Sequence, residues 1–195
     1  MKAVMLSLRP HWCEKIFNGS KSIEVRKSRP SIDTPFKVYV CCTKGKPYLY
    51  KNPNSGELFL DNNDGYRGGD YEDRYLTGKV IGSFVCDRVF ELKINGDDYG
   101  NYWHEWDDEG DIQDMCLSYE ELETYLGKSV GYGWHISDLK IYDKPKELGG
   151  FSYPAEHNFT KRTIKESREM GFICQGVYIT RPPQSWVYCE PIEEE

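Results

Sequence analysis

The chain opens on an almost unbroken apolar run, Ala3–Leu8, which predicts a strand with both faces covered. Pro10 follows, a residue suited to the first turn of a helix because its missing N–H is not needed there. Trp12, Ile16 and Phe17 then fall at i, i+4 and i+5, a buried stripe on a short helix. Asn18-Gly19 ends it, since glycine takes positive φ freely. From there polar and apolar residues alternate, which predicts a strand with Ser22, Glu24 and Arg26 on one face and Ile23 and Val25 on the other. Lys21 falls at the mouth of that strand, a position seldom in a core. Phe36–Thr43, rich in β-branched and aromatic residues, predicts the next strand.

Tyr48–Tyr50 and Glu57–Leu60 flank the turn-rich Asn52–Gly56, which predicts a hairpin. Asn62–Tyr75 reads as a long exposed loop. Lys79–Leu92 reads as a long strand or a bent pair, with Gly82 marking a bulge or a close approach. Asn95–Asp114 is acidic with Trp103 and Trp106 embedded, and Glu105–Asp111 reads as a solvated loop because its acid spacing misses the calcium-loop template. Ser118 and Glu121 have capping-box spacing, opening a short helix through Leu126. Gly131–Tyr142 predicts another strand, and Val177–Tyr188 the last one or two. The segment 152–175 carries a helical pattern around Thr163–Met170, and the terminal glutamates read as a frayed tail.

Strands outnumber helices and are irregularly spaced. The fold class expected is α+β, a small mixed β-barrel with two or three packed helices. At 195 residues one domain is expected over the whole length, with a hairpin and loop insertion at about 45–78 and a further insertion at about 152–175. An aromatic content of 14% excludes a disordered chain despite 29% charged residues. No apolar run approaches the roughly 20 residues that span a bilayer, and no charged-then-apolar signal opens the chain. We therefore expect no membrane partner and a cytoplasmic location.

The seven cysteines are odd in number and include no C-x-x-C. Cys41 and Cys42 are adjacent on a strand and point to opposite faces, so reduced, buried thiols are expected. His104, Cys116, His135 and Cys189 match no zinc spacing, and we expect neither metal nor cofactor. The net charge of −7 argues against grip on a long phosphate backbone. Basic residues nevertheless concentrate between Lys15 and Lys51, while acid concentrates in 61–73 and 97–123. A basic face on an acidic body suits one nucleotide or a short segment.

Three places carry candidate chemistry. Lys21 reads as a solvated lysine, a phosphate contact or an amine activated by burial. Glu24 and Arg26 read as a structural ion pair or as the groups holding Lys21 and a ligand in register. Trp134 reads as core with His135 hydrogen-bonded beside it, or as part of a base pocket. Gln184, Ser185 and Trp186 bring amide, hydroxyl and indole, the groups that read a base edge, although Trp186 can equally plug a barrel end.

The run Gly19–Pro30, with its G-x-K-x-x-E-x-R spacing after a strand and a helix opened by Arg9-Pro10, resembles the signature of the ASCH family, within the PUA-like superfamily. Leu6–Pro10, Tyr39–Lys46, Val80–Asp87, Gly131–Leu139, Tyr142–Leu148 and Arg181–Trp186 are similar to its phage and bacterial branch, in order along most of the chain. The resemblance implies a PUA-like barrel with a cleft beside it that holds a base, and RNA or a nucleotide as partner. Arg9, Lys21, Ser22, Glu24, Arg26, Tyr39, His135, Gln184, Ser185 and Trp186 are the ligand-binding residues expected on this reading. Lys21 and Glu24 are the catalytic candidates if the protein is an enzyme. One alternative is an amidohydrolase acting on N4-acylated cytidine, in which the resemblance implies a Lys activating a Thr three residues later. Lys21 matches that Lys, but Glu24 stands where the Thr is expected. The second alternative is a metal-independent ribonuclease, for which Lys21, Ser22 and Tyr39 are available.

Overall fold

Every residue of β1 (Ala3–Leu8) is buried, as its unbroken apolar run requires. Its alternate side chains enter two different cores. Val4, Leu6 and Leu8 face the larger one, and Ala3 and Met5 face a second one with Cys41 and Phe151. The computed structural model describes residues 3–63, 74–96, 102–106, 112–127, 130–154 and 178–193. Residues 64–73 of the expected loop Asn62–Tyr75, the acidic residues 107–111 and the helical pattern at 163–170 lie outside them.

Helix α1 (Pro10–Phe17) starts on its proline, and Gly19 follows it at φ +79°. It buries Cys13, Ile16 and Phe17 against the sheet, while Trp12 is half-buried. β2 (Ile23–Arg26) and β3 (Phe36–Cys42) come next. β4 (Tyr48–Lys51) and β5 (Leu58–Asp61) form the expected hairpin as a separate two-stranded sheet, its Leu49 and Leu58 joining the main core. β6 (Val80–Gly96) and β8 (Gly131–Lys146) are long and paired with three register shifts, which bend them. Gly82 sits at one shift, where a Cβ would lie 2.2 Å from the Lys140 carbonyl oxygen and 2.6 Å from the Phe17 ring. Only glycine permits that approach.

β7 (Tyr102–Trp106) pairs with β6, so Glu105 and Trp106 lie on a strand and not in the solvated loop expected over Glu105–Asp111. The β-propensity of the aromatic positions prevails over the charge of their neighbours. Helix α2 (Tyr119–Leu126) has both capping-box bonds between Ser118 and Glu121. It packs Leu122 and Leu126 on Ile23, Val25, Phe90, Leu92 and Met115, a third apolar cluster that carries α2 alongside β2. Among the described residues, no helix is long and apolar enough to cross a membrane.

The main sheet has strand order β2-β8-β6-β3-β1-β9, with β9 at Trp186–Cys189 and β7 branching from β6. β1 and β3 run parallel and the other described pairs antiparallel. The class is α+β as expected, but no backbone ladder joins β2 to β9 among the described residues. Side chains span that seam instead. Arg26 Nη2 donates to the Ser7 carbonyl at 2.8 Å, Trp186 Nε1 to Ser28 Oγ at 3.1 Å, and the Ser31 N–H to the Tyr188 hydroxyl at 2.6 Å. β2 is only four residues long and soon meets Pro30, which leaves little backbone to close the ladder.

Candidate functional site

The seam opens into a cavity of about 920 Å³ whose wall includes Lys21, Glu24 and Arg26. Lys21 and Glu24 are three apart, a spacing that puts side chains on opposite faces of a regular strand. Lys21, however, precedes β2. Its N–H is tied to the Lys15 carbonyl, and the next two N–H groups both donate to the Asp114 carbonyl. That pair of hydrogen bonds to one acceptor turns the chain, so Lys21 joins Glu24 while Ser22 Oγ turns to Asp114 Oδ1 at 3.2 Å.

The three charged side chains are buried, at 3%, 5% and 8% exposure for Lys21, Glu24 and Arg26. Glu24 stands between the two cations. Its Oε2 lies 3.6 Å from Lys21 Nζ and its Oε1 3.0 Å from Arg26 Nη2. Lys21 Nζ also donates to the Met115 carbonyl and lies 5.0 Å from the centre of the Trp12 ring. Burial lowers the Lys21 pKa, and the Glu24 carboxylate works against that shift. Arg26 Nη1 reaches Ser185 Oγ at 3.4 Å. Two buried polar atoms of cavity-lining residues, Arg26 Nε and Ser7 Oγ, have no hydrogen-bond partner among the described residues.

The rest of the wall comes from separate elements. Arg9, at the start of α1, and Lys27, just past β2, are exposed at the mouth. Thr43 adds a hydroxyl and Gln184 an amide, while α2 contributes Glu120, Glu121, Thr124 and Tyr125. Tyr125 lies against the Arg26 guanidinium, with Lys27 Nζ 5.2 Å from its ring centre. Burial raises its hydroxyl pKa.

The structure thus brings Arg9, Lys21, Glu24, Arg26 and Gln184 to one cavity, with Ser185 bonded to Arg26 behind them. The burial of Lys21 corrects the reading of a strand-mouth residue outside the core. Four other expected site residues lie elsewhere. Ser22 turns to Asp114, as described. Tyr39 is buried in the second core against Phe151, its hydroxyl accepting from the Ile192 N–H at 3.0 Å. Alternation along β3 sends Val38, Val40 and Cys42 to the main core and Tyr39 and Cys41 to the other side. His135 pairs with Asp87, Nδ1 to Oδ1 at 2.7 Å, half-exposed on β8. Trp186 packs in the seam, 6.1 Å from the ring of Trp134. Trp134 itself is fully buried, edge-on to Phe36 at 5.6 Å.

Sequence reasoning missed Trp12 and Tyr125 as walls and the Met115 carbonyl as the acceptor for Lys21. Helical spacing put Trp12 in the buried stripe, but gave no sign that one edge of that stripe meets a cavity. Among the described residues, no group of three or more His, Cys, Asp and Glu is placed to hold a metal ion.

No protein-family model and no curated protein matches this chain. In structure it is similar to ASCH from Zymomonas mobilis, with a TM-score of 0.49 and 16% identity over 96% of this chain and 87% of that one. It is also similar to two mutant forms of that protein. One has a TM-score of 0.47 and 15% identity, over 96% of this chain and 90% of that one. The other has 0.44 and 14%, over 96% and 87%. Identity at this level assigns no residue a role.

Proposed function

We propose that this chain is a nucleotide-recognition module of the ASCH kind, holding one base of a short single-stranded RNA, or a free nucleotide, in the cavity around Glu24. One observation carries the reading: three charged side chains, Lys21, Glu24 and Arg26, are buried together in the wall of one cavity. Burying such groups is costly, and a polar ligand offsets that cost. The volume falls within the range of small-molecule sites. Trp12 and Tyr125 supply aromatic faces of the kind on which unstacked bases lie. Arg9 and Lys27 at the mouth suit a phosphate. Glu120, Glu121 and a net charge of −7 disfavour a longer run of backbone.

Fluorescence anisotropy with a labelled, mixed-sequence RNA tetranucleotide tests this. Binding is expected to saturate, with a salt slope corresponding to about one to three phosphates. Lys21→Ala is expected to weaken it at least tenfold, while Lys140→Glu, on the exposed outer side of β8, leaves it unchanged. Urea unfolding of each variant separates lost binding from lost fold. Normal binding by folded Lys21→Ala, with loss in Lys140→Glu, assigns the ligand to another surface and rejects the proposal.

A second reading, hydrolysis of an N4-acylated cytidine, has one observation in its favour. Burial lowers the Lys21 pKa toward the range of a general base, and Thr43 brings a hydroxyl to the same cavity. Turnover of N4-acetylcytidine by the wild type but not by Lys21→Ala, followed by chromatography, selects this reading over simple binding. Chromatography of the tetranucleotide after the same incubation reports any cleavage of RNA.

A further inference from the structure

We propose that the cavity selects a base with an acceptor–donor–acceptor edge, the imide of uracil and its relatives. The inference rests on the nucleotide reading above and specifies its ligand. Hydrogen-bonding capacity is left over in the wall. Lys21 has three N–H donors. One goes to the Met115 carbonyl and one faces Glu24, which leaves one. Arg26 has five. The two on Nη2 go to the Ser7 carbonyl and Glu24, and one on Nη1 goes to Ser185. Of the other two hydrogens, the one on Nε is buried out of a ligand's reach, so the second hydrogen of Nη1, beside the Tyr125 hydroxyl, is the donor left for a ligand. Glu24 faces one cation at each carboxylate oxygen, Arg26 at 3.0 Å and Lys21 at 3.6 Å, which leaves a lone pair on both.

The order of these groups is fixed, because Lys21 and Arg26 take different oxygens of the same carboxylate. All three line the cavity. The wall therefore presents donor, acceptor, donor. Its complement is acceptor, donor, acceptor: two carbonyls flanking an N–H, which is the Watson–Crick edge of uracil. That edge is the same read in either direction, so the match does not depend on which way the base enters.

The other bases fail at identifiable atoms. Cytosine sets its N3 acceptor against the Glu24 carboxylate in either orientation and its N4 amino group against a cation. Adenine fails at the same two kinds of contact. Guanine satisfies Glu24 with N1–H but brings its N2 amino group to a cation, so it ranks second. A buried polar group facing the wrong partner loses its hydrogen bond and stays desolvated, which makes such discrimination large.

The test uses the wild-type full chain and isothermal titration with the 5′-monophosphates of uridine, 3-methyluridine, cytidine, adenosine and guanosine. The expected result is uridine monophosphate tightest, at least tenfold ahead of the cytidine and adenosine compounds. The 3-methyl compound, which lacks only the central donor, is expected to bind at least tenfold more weakly than its parent. Equal binding of the 3-methyl compound overturns the imide assignment and leaves the nucleotide cavity standing, as does preference for cytidine, adenosine or guanosine monophosphate. Failure of all five to bind overturns both.

Discussion

Arg26→Met is the perturbation that probes the buried cluster most sharply. The guanidinium holds Glu24 Oε1 at 3.0 Å and the Ser7 carbonyl at 2.8 Å, and it spans the seam between β2 and β1. Methionine keeps much of the stem but abandons a carboxylate that is 5% exposed. Lys21 does not replace it, since its Nζ lies 3.6 Å from the other oxygen and is committed to Met115. Removing one partner of a buried ion pair costs about 3–5 kcal/mol. That is a large share of the roughly 5–15 kcal/mol that holds a domain together. The informative comparison is the triple variant Lys21→Met, Glu24→Leu, Arg26→Met. Taking out all the charge leaves no ion stranded, and such replacements are neutral or stabilising in other buried clusters. We expect the triple variant to fall within about 1 kcal/mol of wild type, and to bind no nucleotide. Urea unfolding followed by tryptophan fluorescence measures both. A cost below about 1 kcal/mol for Arg26→Met, the value of an exposed pair, would refute the burial argument. A triple variant as unstable as the single one would show that the cluster serves the fold and not recognition.

Trp134→Ala is expected to cost about 3–5 kcal/mol, because a fully buried ring is lost. Trp134→Phe should cost less than half as much, since Trp134 Nε1 has no hydrogen-bond partner to lose among the described residues; equal costs in urea unfolding would contradict this. Gly82→Ala is expected to destabilise by at least about 1–3 kcal/mol, because the 2.2 Å neighbour of the new Cβ is a backbone oxygen that cannot rotate away. Thermal unfolding within experimental error of wild type would refute it. Stability should also fall as pH rises above 9. Burial pushes the Cys41, Cys86 and Cys189 thiols from the usual 9.0 up to about 12. Below pH 9 they are neutral in both states. Above it the unfolded chain releases protons that the folded chain keeps, a loss of about 1.4 kcal/mol per thiol per pH unit. Lys21 works the other way, its lowered pKa adding stability as pH climbs toward 10.5, but it is one group against these three thiols together with Cys13 and the Tyr125 hydroxyl, whose pKa values burial also raises. Urea midpoints under reducing conditions that stay flat from pH 8 to 10.5 would contradict the account.

Local signals in the sequence carried α1, β1 and α2 to their observed places. Pro10 set the start of α1, and Ser118 with Glu121 set the start of α2, because each device acts within one helical turn. Gly82 was readable as a close approach, though not what approached it. What failed was long-range. Lys21 is buried because a carbonyl 94 residues away accepts its hydrogen bond, and nothing near Lys21 encodes that. Alternation along β3 grouped Tyr39 with Cys41 but gave no hint that their side of the sheet faces a second core. Tyr125 enters the cavity wall because Leu122 and Leu126 dock α2 beside β2, a packing decision invisible in either segment alone. His135 kept its local alternation and found Asp87 on the neighbouring strand.

The most direct test of the central claim is a nitrogen-15 NMR titration of the full chain with the mixed RNA tetranucleotide, following side-chain N–H signals. The account predicts saturable shifts at Trp12 Nε1 and Arg26 Nε, both in the cavity wall, with Trp134 Nε1 in the core and the Asp87-paired His135 unmoved. Saturable shifts centred on His135, or none at Trp12 and Arg26 while the RNA binds, would contradict it.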